Sequence, residues 1–337
     1  LGLAQFLFCN EKFLWVYEHP SRTTSNAVKA VFANQNHLAS FLALGLAPLI
    51  VWTAAFSIGQ ADASERPIRR SNRAPWQSRT SGKLDDWRPL ALLIGLGVVA
   101  FAGLLTFSRG GVIVLAISAM VTIGLLGIAG VVRRRWVASM TVALVLIATA
   151  VSIYGYESLT QQLSTLSSGD LEQIDHRGAR LSLWAADFEA AKRSPLFGTG
   201  AGSHAEVYPA FLEQSFPNEF THAESSYIHL LLETGVCGLG VCLALLVIVF
   251  YSGSRAFIQA NTKREKLLAA GILGALTAST VHAIWDFAWF LPSCMTLVLS
   301  LAACGRRLWQ LQIAPSTNHA ALRGAMTPSG FGWAVAS

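Results

Sequence analysis

Seven stretches of this chain run for 19 or more residues without an Asp, Glu, Lys or Arg: His37–Ala61, Leu90–Ser108, Val112–Val132, Trp136–Tyr156, Thr234–Ser254, Leu267–Trp285 and Phe287–Gly305. Wound as α-helix at about 1.5 Å per residue, each reaches across a hydrocarbon core of roughly 30 Å. Pro292 interrupts the last of them, which a membrane helix tolerates better than a soluble one. A water-soluble core needs apolar and polar residues to alternate along each element, and these blocks do not alternate. A transmembrane barrel is excluded as well, because its strands read as segments of about ten residues with alternating polarity. Only 13% of the 337 residues are charged, against roughly 25% in ordinary soluble domains. The predicted class is therefore all-α, a polytopic helical membrane protein with about seven membrane helices in this chain.

Seven crossings sort the connecting segments onto alternating sides, and the positive-inside rule says which side is cytoplasmic. One side collects Asp62–Arg88, Arg133–Arg135, Arg255–Lys266 and everything after Gly305, with 17 Lys/Arg against 5 Asp/Glu. The other collects residues 1–36, the turn at Arg109, Glu157–His229 and the turn at Asp286; within Glu157–His229 there are 10 acids against 4 basic residues. The net charge of +6 is thus a cytoplasmic excess and not a nucleic-acid surface. The expected order is an external segment 1–36, a membrane helix 37–61, a basic cytoplasmic loop 62–89, three membrane helices in 90–156, a large periplasmic loop 157–229, three membrane helices in 230–305 and a flexible cytoplasmic tail 306–337. Leu1–Phe8 reads as the tail of an apolar helix, so further spans upstream are expected.

The long external loop is where chemistry is expected, since loops of this length are uncommon unless functional or disordered. Leu181, Trp184, Ala185, Phe188 and Ala191 give it an amphipathic helix that ends at Ser194–Pro195, and a second helix starts near Ala223 and runs into the membrane. The five cysteines form no CxxC pair and no His/Cys group at metal-ligand spacing, so neither a zinc nor a redox site is expected.

Arg109 stands out, a single external cation between two apolar helices, followed by Gly110–Gly111 that would let a ligand approach the backbone. It reads either as a phosphate contact or as a side chain snorkelling to head groups. Arg177 and Arg180, opening the loop helix, are bidentate phosphate donors or partners of Glu172, Asp175 or Asp187. The glycine run Phe197–Gly202 follows a helix and lacks a P-loop lysine, so it reads as a turn whose amides are at most accessory to a diphosphate. His222 and Glu224 lie at the mouth of the next membrane helix, where a neutral imidazole can accept a hydroxyl proton. His282 and Asp286 are four apart, on one face at the outer end of a span, and serve either substrate or each other.

The ordered segments Val31–Ala39 with Asn34, Asn36 and His37, Thr106–Gly110, Arg180–Trp184, Pro195–Gly200, His222–Tyr227, Leu232–Gly235 and Asp286–Phe287 with Pro292 resemble the O-antigen ligase and polymerase family of bacterial inner-membrane proteins. The resemblance implies a GT-C-like architecture and metal-independent transfer of a glycan from an undecaprenyl-diphosphate carrier to an acceptor hydroxyl, with no cofactor. Arg109 and Arg180 match the family's two arginines, and His222 lies nearest its histidine. Many relatives have His-Asn before the aromatic where this chain has Glu224–Ser225, which leaves open whether His222 acts alone or with Glu224. Arg177, Asn36 and Asp286 complete the expected substrate-binding set. The implied partners are the lipid-linked donor, membrane lipids and an acceptor that is lipid A-core, a growing polysaccharide or a protein. The alternative class is a solute or ion transporter with His282 and Asp286 as an ion relay.

Overall fold

The computed structural model describes residues 1–8, 10–18, 24, 27–65, 87–131, 171–212 and 219–313. Among these no strand forms, and the regular elements are helices: α1 Gly2–Leu7, α2 Gln35–Glu65, α3 Arg88–Leu104, α4 Arg109–Ile128, α5 Leu171–Arg193, α6 His204–Val207, a 3-10 turn Tyr208–Phe211, α7 Ser226–Ile258, α8 Lys263–His282, a 3-10 turn Ala288–Phe290 and α9 Pro292–Ile313. Six of the seven charge-free runs overlap a helix, in α2, α3, α4, α7, α8 and α9; the seventh, Trp136–Tyr156, lies outside the described residues, as do most of the basic loop and the tail. Three helices are long and apolar enough to cross a membrane, over Gln35–Phe56, Gly110–Ile128 and Ser226–Ile258, and Leu90–Leu104 is a shorter apolar helix. The regular structure of the described residues is thus all helical, and its long apolar helices suit a membrane protein.

Helix α8 is the axle of the bundle. It packs against α2, α4, α7 and α9, and half of its buried positions are Ala or Gly. Small residues let neighbouring backbones close in, which drives helix association where the solvent is itself apolar. A methyl group at Gly271 would press on Val51, and one at Gly274 would collide with Thr122 Oγ1. Pro292 departs from expectation. It begins α9 instead of interrupting a span from Phe287, because at the first helical position its missing N–H removes no hydrogen bond.

The loop helix α5 forms where predicted but turns a different face inward. Leu183, Ala186, Asp187, Ala190 and Ala191 are buried, while Leu181 and Phe188 are exposed. The inward stripe is fixed by a polar contact that periodicity does not weigh: Asp187 Oδ1 lies 3.1 Å from His204 Nε2, both side chains out of solvent.

Helix α7 is 33 residues long, about 50 Å, and breaks at Gly235, whose φ is 66°. A broken helix leaves amides and carbonyls without intrahelical partners, and none can stay unpaired near lipid. The glycine run supplies those partners. Thr199 and Gly200 donate to the carbonyls of Leu232 (2.8 Å) and Glu233 (3.0 Å), while Val236 and Cys237 donate to those of Pro195 (2.8 Å) and Leu196 (3.2 Å). Gly198, at φ 70°, lies so close to Glu233 that no Cβ fits, and the same holds for Gly235 against Leu196. The run is thus a structural clasp, as the turn reading expects, and its amides at 199 and 200 are spent on α7. Gly235→Ala is expected to cost at least about 1–2 kcal/mol from backbone strain alone, read as a lowered midpoint in a thermal melt of the purified protein. An unchanged midpoint would remove Gly235 from this role.

Candidate active site

The end of the bundle opposite Arg255–Lys266 collects nearly every polar residue singled out in the sequence. Its frame is the junction of α7 with the α8–α9 turn. Ser226 N–H donates to the carbonyls of Ala283 (2.9 Å) and Asp286 (3.1 Å), Ser226 Oγ donates again to Asp286 (2.9 Å), and Tyr227 Oη donates to Thr280 O (3.0 Å). Ser225 caps α7 with its side chain. These bonds place Asp286, fully buried, between α7 and the start of α2. There Asp286 Oδ1 lies 3.7 Å from His37 Nε2. Asn36 sits beside His37 in the first turn of α2, where its N–H donates to Asn34 Oδ1 (2.9 Å).

Burial pushes the Asp286 carboxyl up to about 7; the neighbouring Glu224 carboxylate adds to the shift, and Arg180 and the amides of Ala288 and Phe287 oppose it.

The backbone of Arg109 belongs to the same end. Ser108 Oγ accepts the Gly111 N–H at 2.9 Å and starts α4 at Arg109. Gly110 packs directly on the Trp285 indole, one residue from Asp286. The preceding residue, Phe107, is held at φ 50°, a left-handed conformation unfavourable for a bulky side chain. The side chains of Arg109 and Arg177 are outside the description; Arg177 is placed by its backbone on α5, one turn before Arg180.

Arg180 bridges the loop helix to the membrane bundle. Its Nη2 is 3.0 Å from Glu224 Oε2, so the ion pair that forms is with Glu224 and not with Asp187. Trp184, one turn on, donates its indole N–H to Ala223 O (2.7 Å) and fastens the segment between His222 and Glu224. Glu224 itself sits at φ 52°.

His222 is clamped by rings. Phe287 stacks on one side (centroids 4.4 Å, 8°) and His229 on the other (5.0 Å, 25°). Thr221 Oγ1 lies 2.9 Å from His222 Nδ1, and among the described residues no hydrogen-bond partner reaches Nε2. Burial lowers the His222 pKa from its ordinary 6.5; His204 adds to this, and Glu233 and Glu224 oppose it.

Behind His222 lies a further layer of polar residues that sequence reasoning passed over: His229, Glu233, His204 and Asp187. His229 Nδ1 accepts the Ala223 N–H (3.3 Å), so its neutral ring carries the proton on Nε2, 3.2 Å from Glu233 Oε1. Glu233 Oε1 also accepts the N–H of Gly202 (2.9 Å) and of His204 (3.4 Å). One carboxylate thereby ties the glycine clasp to the backbone flanking His222. The signal in the sequence is the spacing of His229 and Glu233, four apart on one helix. Among the described residues no group of three or more His, Cys, Asp or Glu is arranged to hold a metal ion.

Residues 91–243 match the family model described as O-antigen ligase. The match runs from α3 through Arg109, Arg180, His222 and Glu224 to α7 beyond the Gly235 break, and leaves Asn36, His37 and Asp286 outside it. No curated protein matches the chain. The matched segment, which spans the loop helix, the ion pair and the histidine, makes residues 91–243 of this chain similar to the O-antigen ligase family.

Proposed function

We propose that this protein transfers a glycan from an undecaprenyl-diphosphate carrier to an acceptor hydroxyl at the periplasmic face of the bacterial inner membrane, without a metal. The observation that carries the reading is the meeting of Arg180 and His222: the Arg180–Glu224 contact of 3.0 Å sets a phosphate-competent guanidinium two residues from an imidazole whose Nε2 is free to meet a substrate. Arg109, Arg177 and Arg180 hold the diphosphate, Asn36 contributes to the substrate site at the same end, and the fully buried Asp286 supports it from behind. His222 Nε2 takes the proton from the acceptor hydroxyl, and the acceptor oxygen forms its bond to the anomeric carbon as the bond from that carbon to the phosphate oxygen breaks. The carrier diphosphate leaves with the electron pair, and the arginines meet its growing charge, the kind of preorganised stabilisation that dominates such reactions.

A transporter would need polar groups along the middle of its spans. In the described bundle helices α2, α3, α4, α7, α8 and α9 and the turn after α8, the buried ionisable side chains instead lie at helix ends or in that turn (His37, His282 and Asp286) or, for His229 and Glu233, before the break at Gly235. The test is incubation of the purified full-length protein with a lipid-diphosphate oligosaccharide and candidate acceptors. Glycan transfer with stoichiometric release of carrier diphosphate is the expected result; an intact donor with every acceptor would sink the assignment.

A further inference from the structure

A residue with a Cβ stays in the left-handed region only when its surroundings hold it there, and Glu224 is the non-glycine residue so held within the candidate site loop. What its side chain gains is the contact with Arg180, at 3.0 Å, with 33% of the arginine and 21% of the glutamate side chain exposed. The pair is neither locked away from water nor fully screened, so its partners can exchange. A guanidinium that accepts a carboxylate edge accepts a phosphate edge with the same fork of donors. Among the described residues Arg180 has no other anionic partner: Asp187 is engaged by His204, and Asp286 by His37.

We infer that Glu224 is a stand-in for the donor's diphosphate: in the free protein its carboxylate holds Arg180 in place, and the incoming diphosphate displaces it. This rests on the reading above that a lipid diphosphate binds at Arg180. The exchange makes and breaks no covalent bond. Its consequence lies at His222. A carboxylate neutralised by Arg180 does little for a nearby imidazole, whereas a released one favours proton uptake by it, the direction in which Glu224 acts on His222. Donor binding therefore both fills the arginine site and raises the basicity of the group that takes the acceptor proton. The order of binding is donor first, acceptor second, and an acceptor hydroxyl is not activated before there is a glycan to receive.

The measurement is binding of undecaprenyl diphosphate in detergent micelles to the purified full-length wild type, Glu224→Gln and Glu224→Gly, together with turnover. Removing a partly buried competing carboxylate is expected to tighten binding about 2- to 5-fold while lowering kcat, a split that a purely structural role for Glu224 would not produce. Glycine suits the left-handed backbone and keeps the test valid if the glutamine variant folds poorly. Donor affinity unchanged or weakened in the folded variants overturns the exchange and leaves the donor site standing. Absence of saturable binding by the wild type overturns the functional reading itself, and the exchange with it.

Discussion

Arg180→Lys is expected to lower the proposed glycan transfer about 100-fold or more while the protein keeps its abundance in the membrane and nearly its wild-type melting midpoint. The split follows from what each role of Arg180 requires. Neutralising Glu224 takes one positive charge within reach, and a lysine ammonium supplies it, so the attachment of α5 to the segment before α7 survives. Trp184, bonded to Ala223 O, holds the same junction independently. Binding a diphosphate and meeting the charge that develops on it takes a planar fork of donors at fixed angles, which a point charge on a flexible stem does not reproduce. Loss of a preorganised donor at a developing anion costs about 10²–10³ in rate. The check is kcat/KM of the purified variant beside its thermal melt. A near-normal rate would reduce Arg180 to a structural partner of Glu224.

The apolar helices are legible in the sequence because a charge-free run of 19 residues fits little besides a membrane helix, and the Arg109 turn stands out because it is a single cation between two apolar runs. What the sequence hides is set by contacts between distant residues. Periodicity gives the loop helix an inward face through Leu181, Trp184 and Phe188, yet the buried stripe carries Asp187, since His204 on the far side of the glycine clasp offers that carboxylate a partner. A hydrophobic pattern rates an aspartate as outward and has no means of weighing a partner 17 positions away. The glycine run itself is readable as a turn. Its purpose is not, because Gly198 matters only through the break at Gly235 that it fills. His37 and Asp286 stand near opposite ends of the chain and meet only because α8 carries the turn after it back to the start of α2.

The contacts around His222 show why its ring, only partly enclosed, is so firmly placed. Its own side chain makes a single hydrogen bond among the described residues, to Thr221. The neighbouring amide at 223 is held by His229, the carbonyl at 223 by Trp184, and the carboxylate at 224 by Arg180. Side chains from two helices, α5 and α7, thus fix the segment that carries the imidazole, which is how a loop acquires the rigidity that positioning a proton acceptor demands.

His222→Ala is expected to reduce transfer about 10²- to 10⁴-fold, the usual contribution of a general base, while leaving affinity for undecaprenyl diphosphate within about 2-fold of wild type, since a neutral imidazole that does not touch the phosphates contributes little to their capture. The phosphates are held by arginines in this mechanism, so donor binding and proton transfer separate cleanly. The pH dependence gives a second readout, and its sign follows from the surroundings of the ring. Burial, with His204 nearby, favours the neutral imidazole and sets the pKa below 6.5. Going down in pH, the base stays in its neutral form past the point where an ordinary histidine would have been protonated, and kcat/KM falls only below pH 6.5. Opening the clamp by Phe287→Ala, which lets water reach the ring that Phe287 now covers at 4.4 Å, should move that acid limb back up toward the ordinary value. Donor affinity falling in parallel with turnover in His222→Ala would make His222 a phosphate ligand. An acid limb unmoved by Phe287→Ala would assign that limb to another group, and a surviving rate in His222→Ala that vanishes in Glu224→Ala would hand the proton to the carboxylate.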